Sequence, residues 1–287
     1  MNLKTAFLRA KNELNAIGIK TAELDAKVLL LQVIEENDVY LLKNPLFPLT
    51  NSQYSKFRRC IRRRKSGEPV AYILGHKEFF GFDFKVNKNV LIPRPETELI
   101  VEQAIEFIKH KVQKFEGKLN IIDIGTGSGC IIISIANSLR TMGYGLRAKL
   151  YASDISDKAL RVARLNAKKN GVNKQIKFFR SDLFSNGKLP KKFDLILANL
   201  PYLKSNYKNL DSEPKIALDG GRNGLKIVSS LIELLPEKLN RSGIALLEID
   251  NDQPEKIKKN VGNIPNLKFE EVKSIPHWHG TIKISRN

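Results

Sequence analysis

From about Leu119 onward, short apolar runs alternate with amphipathic segments. The runs Leu119–Ile124, Lys149–Ser153, Ile176–Arg180, Phe193–Ala198 and Ile244–Ile249 read as buried strands. Helical stretches separate them, among them Cys130–Arg140 and Asp157–Asn170. This alternation predicts an α/β domain built on a doubly wound, mostly parallel sheet. Two later runs, Leu267–Val272 and Thr281–Ser285, flank Pro276-His277-Trp278-His279-Gly280 and predict a closing antiparallel hairpin. His277 and His279 read as loop residues, because no third metal ligand accompanies them.

The first 75 or so residues carry a different period. Leu3, Ala6, Phe7, Ala10, Leu14 and Ile17 recur at helical spacing, as do Leu24, Ala26, Val28, Leu29 and Leu31. Thr21 offers a cap to the second helix, and Thr50 or Asn51 to a third that runs through Arg64. Stripes on so small a segment must pack on one another, which predicts a helical bundle. Between bundle and sheet, Phe79 to Val86 alternates apolar and polar positions, Asn87-Lys88-Asn89 turns, and Val90-Leu91-Ile92 resumes extended chain. Pro93-Arg94-Pro95-Glu96-Thr97-Glu98 then opens a helix, with prolines and acids in its first turn. The expected organisation is a helical domain over residues 1–75, a β-hairpin linker over 76–95 and the α/β domain over 96–287.

Composition adds three constraints to a chain of 287 residues. No apolar run reaches the length of a membrane span, and Met1-Asn2-Leu3-Lys4-Thr5-Ala6 lacks the features of a signal peptide. Cys60 and Cys130 lie far apart with no metal-ligand spacing, so disulfides and bound metal are not expected and the cytoplasm is the default location. The net charge is +19, from 49 Lys and Arg against 30 Asp and Glu, which attracts polyanions. Seven of the ten residues from Lys56 to Lys65 are basic. That run is a solvated helix face or a surface for RNA or the ribosome.

The first strand of the α/β part runs into Gly125-Thr126-Gly127-Ser128-Gly129. Glycines there let a ligand approach the backbone, and the following helix supplies N–H donors. The third small residue of a dinucleotide fingerprint would fall at Cys130, and the Lys-Ser or Lys-Thr of a phosphate loop is absent. Asp154 ends the next strand, placed for two ribose hydroxyls, or else caps the helix at Ala159. Asp182 follows the third strand, placed to accept from an adenine amine, with Leu183 beside it to cover the ring. Glycine turn and acids together fit an adenosine without a pyrophosphate, and S-adenosylmethionine is such a ligand.

At the end of the fourth strand stand Asn199-Leu200-Pro201-Tyr202. Strand carboxyl ends are where open α/β sheets bind ligands. A planar NH2 group is a poor nucleophile because its lone pair is delocalised. The Asn199 side-chain oxygen and the Leu200 carbonyl can accept its two N–H bonds and aim the lone pair at an electrophilic methyl group. Pro201 restricts Leu200 to extended conformations, and Tyr202 can stack on the substrate. The alternative is an ordinary strand-ending turn.

Together these strings resemble the release-factor glutamine methyltransferases of the PrmC/HemK type. The resemblance runs through Gly67-Glu68-Pro69-Val70-Ala71-Tyr72-Ile73-Leu74-Gly75, Phe79-Phe80-Gly81, Leu91 to Glu98, Asp123 to Gly129, Asn199 to Tyr202, Glu213 to Gly221 and Leu247-Glu248-Ile249. It implies an N-terminal substrate-recognition bundle, a hairpin linker and a Rossmann-like methyltransferase domain. The implied activity moves a methyl group from S-adenosylmethionine to the glutamine of the Gly-Gly-Gln loop of peptide chain release factors. By position, Gly125, Thr126, Gly127, Ser128, Gly129, Asp154, Leu183 and Asn199 would hold the donor, joined by Asp182 from its place after the third strand. Asn199, Leu200, Pro201 and Tyr202 would hold the glutamine. A monomer without metal or membrane attachment is expected. Leu200 departs from the family's usual proline, and Asn-Leu-Pro resembles ribosomal RNA adenine dimethyltransferases. An RNA or DNA adenine-N6 methyltransferase is therefore the alternative enzyme, and a non-catalytic ribosome factor that keeps the fold is a third reading.

Overall fold

The computed structural model describes residues 1–114, 116–206, 212–272 and 280–287. The chain forms two compact units, Met1–His76 and Lys77–Asn287. His277 and His279 lie outside the described residues.

Unit one contains α1 (Leu3–Asn15), α2 (Ala22–Ile34), α3 (Asp38–Lys43), α4 (Asn51–Lys65) and α5 (Val70–Leu74). Leu3, Ala6, Ala10 and Leu14 of α1 pack with Ala26, Leu29 and Leu30 of α2 and with Phe57 and Ile61 of α4. Two expected stripe positions depart from this core. Ile17 lies beyond the end of α1 and is exposed, as is Leu24. Asp25 takes a buried place on α2 because Arg64 pairs with it at 2.7 Å and Thr21 donates its hydroxyl to it. Thr21 consequently makes no side-chain cap, whereas Thr50 and Gln53 form a full capping box on α4.

The basic run on α4 is largely consumed inside the unit. Arg58 grips Glu13 with both terminal nitrogens at 2.7 and 3.1 Å, and Lys65 reaches the same carboxylate at 3.5 Å. Arg63 pairs with Glu68, and its hydrogen bond holds that carboxyl below its ordinary pKa. Lys56, Arg59 and Arg62 remain exposed.

Unit two opens with a hairpin, β1 (His76–Phe79, from Lys77 within this unit) and β2 (Phe82–Lys85), turning on Phe80 and Gly81, both at positive φ. Val90-Leu91-Ile92, expected as extended structure, joins no strand. Next come α6 (Glu98–Lys114), β3 (Leu119–Ile124), α7 (Cys130–Thr141), β4 (Ala148–Asp154), α8 (Asp157–Lys169), β5 (Ile176–Arg180) and β6 (Phe193–Ala198). They are followed by α9 (Lys226–Lys238), β7 (Leu239–Ile249), α10 (Pro254–Gly262), β8 (Leu267–Val272) and β9 (Gly280–Arg286).

The seven-stranded sheet has the order β5-β4-β3-β6-β7-β9-β8. β3 through β7 run parallel, whereas β9 is antiparallel to both β7 and β8. β3, β4 and β6 are buried over most of their length on both faces, and so read as mostly apolar runs. Ile121, Leu195 and Leu197 join α6 and α7 in one layer, while Ile122, Ile124 and Ile196 join α9 and α10 in the other.

Strand order reverses between β3 and β6, since β4 and β5 lie to one side of β3 and β6 to the other. At such a switch point the loops diverge to opposite faces and leave a crevice at the carboxyl ends. Ile124 of β3 pairs with Ala198 of β6, so Gly125 and Asn199 leave the sheet side by side.

Candidate active site

A cavity of about 450 Å³ occupies this crevice. Gly125, Thr126, Gly127 and Ser128 form part of its lining, with Asp154 from the end of β4 and Asp182 and Leu183 from beyond β5. Asn199, Leu200 and Pro201 also line it, as do Arg94 and Thr97. Residues singled out across a span of 77 positions in sequence thus share one space.

The glycine turn is held from below. Thr126 donates its hydroxyl to Asp123 Oδ2 at 2.6 Å, and its amide donates to the Ser153 carbonyl at 2.9 Å. Gly125 and Gly127 sit at φ +69° and +53°, where a side chain is strained. A Cβ on Gly125 would come within 2.9 Å of Leu200 Cδ2. Gly129 stands outside the cavity lining and serves packing instead, since a Cβ there would lie 2.7 Å from Ile133 Cδ1 and 3.2 Å from Ala163 Cβ. Cys130 borders the cavity, but burial pushes its thiol up to about 12 and keeps it protonated.

Asp154 is nearly buried at 9% exposure and accepts amide N–H bonds from Gly127 at 2.9 Å and Ser156 at 2.8 Å. Burial raises its pKa, opposed by those two donors. The helix cap at Ala159 is supplied by Ser156, which leaves the Asp154 carboxylate facing the cavity rather than capping α8. Asp182 is exposed and closes a turn in which its amide donates to Ser185 Oγ at 3.1 Å. Leu183 adopts φ +46°, rare for a side-chain-bearing residue.

Asn199 donates Nδ2–H to Thr97 Oγ1 at 3.1 Å. Leu200 turns its side chain onto the glycine loop, 6% exposed, which accounts for how a leucine is accommodated at that position. Tyr202 is placed differently from the expected substrate stack. It does not line the cavity and is 9% exposed, and its hydroxyl donates to Glu248 Oε1 at 2.9 Å. Burial, then the Glu248 charge, raises the phenol's pKa, so it stays a donor. Gln253 Nε2 donates to the Tyr202 carbonyl at 2.9 Å and fixes the segment from the other side.

Thr97, Glu248, Gln253 and Glu213 were assigned no role from sequence. Glu213 accepts from the Ile92 amide at 2.9 Å and pairs with Arg94. Thr97, Glu213 and Glu248 sit inside the strings that carried the family resemblance, which was the available signal.

The N-terminal residues 5–75 match the model of the PrmC N-terminal domain, and residues 99–236 match that of ribosomal protein L11 methyltransferase. The chain is 36% identical over 255 residues to the release factor glutamine methyltransferase of Koribacter versatilis, covering 87% of this chain and 86% of that one. It is 34% identical over 285 residues to the release factor glutamine methyltransferase of Moorella thermoacetica, covering 98% and 96%. A bifunctional methyltransferase of Rickettsia felis is 35% identical, and there the match spans only 53% of the relative. Among solved structures, a methyltransferase from Pyrococcus furiosus superposes with a TM-score of 0.51 at 17% identity, covering 82% of this chain and 98% of that one. The catalytic domain of hMettl16 superposes with a TM-score of 0.56 at 14% identity, covering 94% and 91%. These two show a shared methyltransferase fold. With identity above one third along nearly whole chains of like length, this protein belongs to the release factor glutamine methyltransferase family.

Proposed function

We infer that this protein transfers a methyl group from S-adenosylmethionine to the side-chain nitrogen of the glutamine in the Gly-Gly-Gln loop of peptide chain release factors. The observation that carries the reading is the juxtaposition of Gly125 and Asn199 at paired strand ends on one cavity. Family membership supplies the substrate class.

The cavity suits the donor. Its volume falls in the range of small-molecule sites. Glycines at positive φ leave the backbone open to a ligand, and Asp154 offers a carboxylate for hydroxyls. When bound, the donor supplies an electrophilic methyl group on a positively charged sulfur. In this reading the turn from Gly125 to Ser128, with Asp154, Asp182 and Leu183, holds the donor, and Gly129 acts through packing. Asn199 and the Leu200 carbonyl accept the two N–H bonds of the amide and orient its lone pair. Pro201 keeps Leu200 extended, and Tyr202 braces the segment from behind. Recognition of the release factor falls to the helical unit, and the protein acts as a cytoplasmic monomer. Any RNA contact by residues 56–65 would rest on Lys56, Arg59 and Arg62.

Incubation of the purified protein with donor and a release factor tests this. Mass spectrometry of the loop peptide is expected to show one added methyl group on the glutamine. An unmodified peptide, with label entering added RNA or DNA instead, would overturn the reading in favour of adenine methylation.

A further inference from the structure

Thr97, Asn199 and Glu248 come from three distant parts of the chain and meet beside the cavity. Thr97 ends the 3-10 turn Pro95–Thr97, Glu248 lies in β7, and Asn199 follows β6. Thr97 is 2% exposed and Glu248 1%. Thr97 Oγ1 lies 2.6 Å from Glu248 Oε2 and 3.1 Å from Asn199 Nδ2, and Tyr202 Oη lies 2.9 Å from Glu248 Oε1.

With Glu248 ionised, the protons in this chain of contacts have one consistent arrangement. An ionised carboxylate only accepts, so the single hydroxyl proton of Thr97 points to Glu248. The Thr97 oxygen is then left with lone pairs, and it takes an N–H from Asn199. Because the carboxamide is planar and two-branched, turning Nδ2 to Thr97 leaves Oδ1 for the cavity that Asn199 lines. The opposite orientation would require a second proton on Thr97, which it does not have.

We propose that Glu248 and Thr97 are positioning residues that set the polarity of the Asn199 carboxamide, so that an acceptor rather than a donor meets the NH2 group of the substrate. This rests on the reading above that the acceptor is the glutamine amide, whose NH2 group needs that polarity. The charge of Glu248 gives the relay its direction, and the Tyr202 hydroxyl supplies the same carboxylate with another donor. An amide at position 248 can donate to Thr97 instead. The Thr97 proton is then free to turn to Asn199 Oδ1, and Asn199 would present its own NH2 to the substrate NH2.

The experiment compares wild type with Glu248→Gln, Thr97→Val and Thr97→Ser in single-turnover methylation of a release factor. Donor affinity is followed by calorimetry and folding by thermal melting. Glu248→Gln and Thr97→Val are expected to lose about a hundredfold in rate, the scale of a small misplacement of reacting groups. Donor Kd should stay within about threefold, and Thr97→Ser should recover most of the rate. Rates within about threefold of wild type in both variants would overturn the proposal. So would donor affinity falling in step with rate, or a serine no better than the valine. Should a variant melt early, the other keeps the test. A second readout is independent of turnover: exchange of the Asn199 side-chain NH2 protons by NMR. It should be slow in wild type and Thr97→Ser and fast in Thr97→Val, and equal exchange in all three would overturn the relay. A wild type that keeps the slow exchange but leaves the glutamine unmethylated would refute the substrate reading alone.

Discussion

Asp123 offers a measurable consequence of the way the glycine turn is anchored. The residue is fully buried in β3 and accepts the Thr126 hydroxyl on Oδ2 at 2.6 Å. Burial pushes its pKa up to about 7, with repulsion from Asp154 adding to the rise and the Thr126 bond opposing it. An unfolded aspartate titrates near about 3.9. The folded state therefore binds this proton more tightly, and its contribution to stability is complete below about pH 4. It is lost as pH rises from about 4 to about 7. About three units at about 1.4 kcal/mol each give a loss on the order of 4 kcal/mol across that window. Asp123→Asn removes the titration while leaving an oxygen to accept from Thr126. Its new amide protons cost a constant amount at every pH, so the difference between the two curves, not either alone, carries the information. Urea unfolding followed by far-UV circular dichroism from about pH 4.5 to about pH 8 is the assay. The wild type should lose several kcal/mol relative to the variant up to neutrality and then run level with it. Parallel curves through that window would refute the reasoning.

Two further perturbations probe neighbouring arguments. Gly125→Ala places a side chain at φ +69° and 2.9 Å from Leu200 Cδ2, costing about 1–2 kcal/mol from the backbone alone. Donor affinity by calorimetry should fall about tenfold, and adding Leu200→Ala should return only the steric part. Unchanged affinity in Gly125→Ala would show that the turn does not need its glycine. In the helical unit, Arg64→Ala strands the Asp25 carboxylate, whose side chain is 8% exposed, and should cost about 3 kcal/mol in urea unfolding. Lys11→Ala, which breaks a pair at 30% and 66% exposure, should cost under about 1 kcal/mol. Equal losses would sink the burial argument.

Much of the sheet was legible because its central strands β3 and β6 are buried on both faces and are mostly apolar, while the edge strand β5 keeps a short apolar core between Lys177 and Arg180. β3, β5 and β6 begin and end where the hydrophobic pattern places them. β7 starts at Leu239, five residues ahead of the apolar run at Ile244, because Asn240, Arg241, Ser242 and Gly243 break the pattern. Pairing with β6 shifts register there, between Phe193 and Leu195, and Ser242 adopts φ +56°. A register shift is a property of two strands together and leaves no periodic trace in either. Leu24 illustrates the converse: helical spacing admits it to a stripe, but Asp25 takes the inner place on α2 because Arg64, on another helix, neutralises it.

The site divides along the same line. Residues that present backbone or a carboxylate at a strand end were readable, since the strand fixes where they emerge. Gly125 to Ser128, Asp154 and Asn199 all border the cavity. Residues that act through a partner were not readable, because the partner is remote in sequence. Thr97 and Glu248 are 151 positions apart and meet at 2.6 Å. Tyr202 reads as a substrate platform beside Asn199 until Glu248 supplies a buried acceptor that turns its hydroxyl inward. The tetrapeptide Asn199-Leu200-Pro201-Tyr202 therefore has two faces. Asn199, Leu200 and Pro201 open on the cavity, and Tyr202 ties them to β7 through the same carboxylate that orients Asn199 by way of Thr97. One buried carboxyl thus touches both Tyr202, which braces the segment, and Thr97, which bonds its carboxamide. Gln253 donates to the Tyr202 carbonyl and Glu248 accepts from the Tyr202 hydroxyl, so the segment is braced at Tyr202 as well as by the restriction that Pro201 places on Leu200.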